Sequence, residues 1–201
     1  GLNRSPVIAV RPLNHADETP SKGAWQFTDA IESWTWNGYE GKKAVVEVYA
    51  NAFSVVLLLN GKKVGQKKLR DCRTKFDVRY EEGTLTAVAY DEKGNEISSS
   101  QLSSGGKENI LHVTLDKKVL RANGKDLCFA EIEFSDKNGN LKPYIEQPIE
   151  IQVDGESVRL QGFGSALYKT DERFDSIVHD SYRGRAFAVF RSSKSKGKAN
   201  V

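Results

Sequence analysis

Trp34 and Trp36 stand two residues apart in Ser33-Trp34-Thr35-Trp36-Asn37-Gly38, with Trp25 nine residues upstream. On an extended strand, residues i and i+2 share a face, so the two indoles project together. Aromatic faces stack on sugar rings, and large aromatics also dominate buried contacts. Trp34, Trp36 and Trp25 are therefore the carbohydrate-binding candidates of this chain. They are weighed against packing in a sandwich core or on a neighbouring domain, and packing is the stronger of the two readings.

Other residue types that could carry chemistry are scattered. Asp29, Glu32 and Glu40 flank the aromatic segment and read as solvated loop charges or turn caps. His15, His112 and His179 are far apart, with no cysteine or serine elbow beside them. Asp136-Lys137-Asn138-Gly139-Asn140 resembles the opening of a calcium loop, but its glycine comes fourth and Gln147 stands where the twelfth-position glutamate belongs. It reads as a turn. Gly162-Phe163-Gly164 lacks the third glycine and the following helix of a nucleotide fingerprint. Cys72 and Cys128 lack zinc-site spacing. The expectation is a chain with no catalytic residue, no metal and no cofactor.

The elements that position these residues are strands. Ala44 to Tyr49, Ser54 to Leu59, Thr74 to Tyr80, Thr84 to Tyr90 and Glu96 to Leu102 alternate or run apolar, and Val7 to Val10 suits an edge strand. Within Thr84 to Tyr90, Leu85, Ala87 and Ala89 share one face. Asn60-Gly61 fits a tight type I′ turn, and Lys93-Gly94-Asn95 turns the next pair. After Ser103-Ser104-Gly105-Gly106-Lys107, the best linker, a second series follows. Its strands are Asn109 to Leu115, Leu127 to Ser135, Ile149 to Val153, Val158 to Gln161 and Ala186 to Arg191. The pattern predicts an all-β chain of two tandem immunoglobulin-like β-sandwich domains, residues 1–104 and 105–193, with a basic flexible tail at 194–201.

Charge supports that division. The 201 residues carry a net charge of +3, yet Arg191, Lys194, Lys196 and Lys198 near the end leave residues 1–190 at −1. A Ser/Lys/Gly end reads as a disordered tail, and no nucleic-acid partner is expected. No apolar stretch is long enough for a transmembrane helix, so no membrane partner is expected either. No signal peptide is visible in a chain that opens at Gly1 and contains no methionine, as a fragment or processed chain would read. Two cysteines in different domains form no disulfide framework and favour a reducing, cytoplasmic setting.

The ordered motifs resemble one family. Glu32-Ser33-Trp34-Thr35-Trp36-Asn37-Gly38-Tyr39-Glu40-Gly41-Lys42 is similar to the entry of the first domain after the barrel in bacterial glycoside hydrolase family 2 β-galactosidases. Val46 to Ala52, Val56 to Gly65 and Tyr80 to Tyr90 resemble that domain's later strands. Leu120 to Leu127, Asp136 to Asn140 and Tyr182 to Ser192 resemble the domain that follows. One departure stands out: where the family has Gly-x-Gly-Asn, this chain reads Gly162-Phe163-Gly164-Ser165. The resemblance implies a non-catalytic, supporting C-terminal region whose catalytic carboxyls lie on a separate (β/α)₈ barrel. The partners it implies are the barrel and N-terminal domains of a parent enzyme, and homo-oligomer contacts are a further expectation. A free-standing carbohydrate-binding module using Trp34 and Trp36 is the alternative.

Overall fold

A computed structural model describes residues 5–18, 28–167 and 170–201. The chain divides into two compact units, Gly1–Lys107 and Glu108–Val201. Among the described residues there are strands and turns and no helix. The strands are β1 (Val7–Val10), β2 (Lys43–Tyr49), β3 (Ser54–Leu59), β4 (Lys62–Lys68), β5 (Arg73–Arg79), β6 (Thr84–Tyr90) and β7 (Glu96–Ser103) in the first unit. In the second they are β8 (Ile110–Leu115), β9 (Leu127–Ser135), β10 (Pro148–Glu150), β11 (Val158–Gly164), β12 (Val178–Asp180) and β13 (Arg185–Ser192).

The first unit stacks a β1-β2-β5 sheet on a β4-β3-β6-β7 sheet, all neighbours antiparallel. Alternation sets the core. Ala44, Val46 and Val48 of β2 point inward with Phe76 and Val78 of β5, opposed by Val55, Leu57, Leu85, Ala87 and Ala89. Asn60-Gly61 makes the turn between β3 and β4, with φ of 51° and 75°. Strand β4 is almost wholly polar, so alternation gave no notice of its length. The turn into β5 is made by Asp71-Cys72, with φ of 50° and 60°, a conformation that neither residue type signals strongly.

The second unit has a four-stranded sheet, β11-β13-β9-β8, and a two-stranded one, β10-β12. Cys128, Ala130, Ile132, Phe134, Ala188, Phe190, Phe163 and Ile149 form its core. Two strands cover four only in part. Leu111, Val113 and Leu115 of edge strand β8 pair with Phe134, Ile132 and Ala130, yet they remain 43%, 53% and 37% exposed.

Two expectations change here. The Ser/Gly linker is not slack throughout: Ser104 N–H donates to Gly83 O at 2.8 Å, and Gly105 N–H to Thr35 Oγ1 at 2.9 Å. Those bonds hold it to the first unit and carry that unit's end to Lys107. The basic tail at 194–201 is not free either. Asn200 pairs with Asp154 in an antiparallel bridge, because the glycine turn at Gly155 leaves room for the backbone of Lys198. A Cβ on Gly155 would stand 2.8 Å from that carbonyl.

Gly184 is the tightest backbone approach in the second unit. Its φ is +72°, and an added Cβ would lie 2.4 Å from the Lys142 carbonyl oxygen. Gly184 also accepts from Phe134 N–H and donates to Ile145 O, so the loop cannot withdraw. Gly184→Ala is expected to destabilise this unit by about 2 kcal/mol. Gly139→Ala, at a similar φ of +81° but facing open space, should cost only about 1 kcal/mol. Thermal unfolding of the two variants checks the ranking, and equal losses would refute it.

Candidate functional site

The aromatic segment does not form a ladder strand; residues 33–36 run as an irregular strap through the interior of the first unit. Its polar groups find other partners. Trp36 N–H donates to the Tyr80 hydroxyl at 3.0 Å, which lies 3.4 Å from Trp34 O. Thr35 N–H donates to Ser33 Oγ, and Thr35 Oγ1 accepts from Gly105 N–H. Side chains thus replace the ladder a strand would need. Trp34 and Trp36 are both 0% exposed. The Trp34 ring meets Tyr80 edge-on, centroids 4.9 Å apart, and its Nε1–H donates to Glu81 O at 3.0 Å. Trp36 meets Tyr39 at 6.5 Å, and its Nε1 is buried with no hydrogen-bond partner. Neither indole offers a face for a sugar to stack on. Trp25 lies outside the described residues.

The best-formed polar cluster in the first unit surrounds Glu47, which sequence reading passed over. Val46 and Val48 face the core, so Glu47 points out of the other side of the β1-β2-β5 sheet, yet it is 2% exposed. Arg11 Nε at 2.9 Å and Lys75 Nζ at 2.9 Å pair with Oε1; Thr28 Oγ1 at 2.9 Å and the Tyr49 hydroxyl at 2.5 Å donate to Oε2. Burial would push this carboxyl up. The hydrogen bonds from Tyr49, Lys75, Arg11 and Thr28 outweigh that and hold it down at about 2. Burial, together with the bond and charge of Glu47, pushes Tyr49 up to about 12, so the phenol keeps its proton as the donor. The only hint in the sequence was a charge breaking the apolar run Ala44-Val45-Val46-Glu47-Val48.

The histidines lie on separate elements. His15 pairs with exposed Glu18 at 2.8 Å, and His112 lies on β8, opposite Glu133. His179, in β12, is fully buried. Its Nδ1 is 3.0 Å from Glu172 Oε2 and 3.1 Å from Asp180 O. Phe163 and Phe174 flank the ring, each at 5.8 Å, the latter stacked at 14°. A methyl on Gly164 would come 2.5 Å from the Phe174 ring and 3.4 Å from His179 Nε2. Gly164 is therefore a packing requirement within β11, whereas a methyl on Gly162 would make only an ordinary contact, 3.7 Å from Phe174 O.

Asp136 caps its own loop, accepting from Asn138 N–H, Asn140 N–H and Asn140 Nδ2 at 2.8–3.0 Å. Asp91 does the same with Lys93 N–H, Asn95 N–H and Asn95 Nδ2. The shared Asp-x-x-Gly-Asn spelling, with Gly94 at φ 83° and Gly139 at φ 81°, is one turn used twice, in 91–95 and 136–140. Among the described residues, no group of three or more His, Cys, Asp or Glu could hold a metal ion. Cys72 and Cys128 are both unpaired, the first exposed and the second buried.

Two compact units of antiparallel sheets, the first with its aromatic strap and its Glu47 cluster buried, define a tandem β-sandwich region. Residues 111–201 match the family model of glycoside hydrolase family 2 C-terminal domain 5, and residues 41–98 match a domain of unknown function, DUF4982. Residues 111–201 are thus of the glycoside hydrolase family 2 C-terminal kind, and the chain as a whole is similar to part of family 2 hydrolases. The β-galactosidase BoGH2A of Bacteroides ovatus is 30% identical over 169 residues, 83% of this chain and 20% of that protein. A Formosa agariphila protein, provisionally named a β-glucuronidase, is 31% identical over 121 residues, 58% of this chain and 12% of that protein. A family 2 glycosyl hydrolase from Bacteroides cellulosilyticus superposes with a TM-score of 0.82 at 30% identity, covering 96% of this chain and 26% of that one. A Bacteroides vulgatus β-glycosidase shares the fold at a TM-score of 0.72 and 22% identity. The chain thus spans about a quarter or less of the relatives it matches.

Proposed function

We propose that this chain is the non-catalytic accessory region of a larger family 2 glycoside hydrolase acting on β-linked glycans, galactosides first and glucuronides second. The observation that carries the reading is the coverage: 96% of this chain superposes on 26% of a family 2 hydrolase. The chemistry of the chain is in keeping with it. Retaining glycoside hydrolysis uses two carboxyls about 5 Å apart, one kept protonated as the acid. The carboxylate buried in the first unit, Glu47, is held ionised at about 2 with its four donors in place, the opposite of what an acid catalyst needs. The supporting role is architectural: the sandwiches pack on the catalytic barrel and N-terminal domains of the same polypeptide, and they contribute to oligomer contacts.

The test is turnover. The purified chain is expected to release no chromophore from a nitrophenyl β-galactoside, whereas the enzyme that contains it does so. Turnover by the chain alone, scaling with its concentration and surviving repurification, would overturn the proposal.

A further inference from the structure

The segment from Lys62 to Arg79 carries eight Lys and Arg against two Asp, although the whole chain nets only +3. Net charge along the sequence hides this, and the fold concentrates it. Strand β4 is the outer edge of one sheet and β5 the outer edge of the other, so both edges on that flank of the first unit are basic. Lys62, Lys63, Lys67, Lys68, Arg70, Arg73 and Arg79 are exposed. Two of the nearby acids are engaged by other cations, while Asp71 lies in the turn and Asp91 and Glu92 border the depression that holds Phe53 and Lys63. Asp77 is taken by Lys43 at 2.9 Å and Glu47 by Lys75 and Arg11. Among the described residues, those seven cations have no carboxylate within ion-pair distance. Phe53 adds a 38% exposed ring at the same edge, 4.6 Å below Lys68 Nζ.

Lysines on an edge strand also deter sheet-to-sheet pairing. One or two suffice for that, whereas here the cations continue through the turn into β5. Clustered uncompensated charge repels itself and costs stability in the free protein. A linear polyanion laid along β4, about 20 Å from end to end, would relieve that repulsion.

We propose that the β4–β5 flank of the first unit binds an anionic polysaccharide, one carrying uronate carboxylates. The choice of polymer rests on reading the chain as part of a glycan-degrading enzyme; the charge argument does not. The lysines meet the carboxylates, and Phe53 gives a sugar ring an apolar surface.

The test uses the whole chain with polygalacturonate, neutral galactan and a single-stranded oligonucleotide, followed by affinity electrophoresis and calorimetry. Binding to polygalacturonate at low salt is expected, weakening as salt rises. Neutral galactan should not bind. A variant with Lys62, Lys63, Lys67 and Lys68 all changed to Gln should bind about tenfold more weakly or worse, with its thermal unfolding unchanged or improved. A second variant, with Lys194, Lys196 and Lys198 changed to Gln, should bind like the parent chain. No binding to the polyuronate, equal losses in both variants, or tighter binding to the oligonucleotide would each overturn the proposal. None of these outcomes bears on galactoside turnover, so this proposal and the accessory reading fail separately.

Discussion

Trp34→Ala is expected to lower the stability of the first unit by about 3–5 kcal/mol, and its unfolding temperature by more than about 10 °C. The indole is fully buried, edge-on to Tyr80, and tied by its N–H to Glu81 O, so truncation leaves both a cavity and an orphaned carbonyl. Trp36→Ala should cost a similar amount through the cavity alone. Substitution by Phe separates the two sites. Trp34→Phe loses a hydrogen bond, whereas Trp36→Phe removes a donor that has no partner. The Trp36 variant should therefore be the milder, by about 1 kcal/mol. Calorimetric unfolding measures both, and a milder Trp34→Phe would count against the packing described. A chain with both tryptophans replaced by alanine but an unchanged melting temperature would return them to the surface and reopen the sugar platform.

Glu47 gives the second large effect. Its carboxyl lies near 4.5 when unperturbed and at about 2 in the folded chain. The folded state therefore binds the proton more weakly than the unfolded state. The resulting stabilisation is complete above about pH 4.5 and drains away as pH falls toward 2, an amount on the order of 2–3 kcal/mol. Glu47→Gln should remove that amount at neutral pH. It leaves Arg11 and Lys75 without their shared anion, although both are solvated enough to soften the loss. Other acids here are also held low, Asp91 by the side chain of Asn95 and Asp126 by that of Lys117. The informative quantity is thus the difference between wild type and variant. The two stability curves should be furthest apart at neutral pH and converge between pH 4.5 and 2. A gap that stays constant down to pH 2 would show that Glu47 is not held ionised by this cluster.

Much of the architecture was legible because burial leaves a period-two signature. Leu85, Ala87 and Ala89 are all fully buried on one face of β6, as their spacing implies. Strand β4 was hidden because an exposed edge has no apolar face to announce it, and β12 because three residues are too few to show a period. The aromatic segment was read as a strand on residue type alone. What decides its path is the Tyr80 hydroxyl, forty-four positions away from Trp36, and no local rule carries such information. Glu47 illustrates the same limit for charge. Its four donors come from positions 11, 28, 49 and 75, and only the folded sheet gathers them.

The returning end of the second unit bears on how such a region is cut and handled. Residues 195–201 wall one side of a cavity of about 610 Å³ whose other side includes Leu115, Val119, Cys128 and Phe190. Trimming an expression boundary to Ser193, as the lysine-rich composition invites, would strip that wall and wet the thiol of Cys128. A clone that stops there would be a stickier, more oxidisable reagent than the domain it was meant to represent.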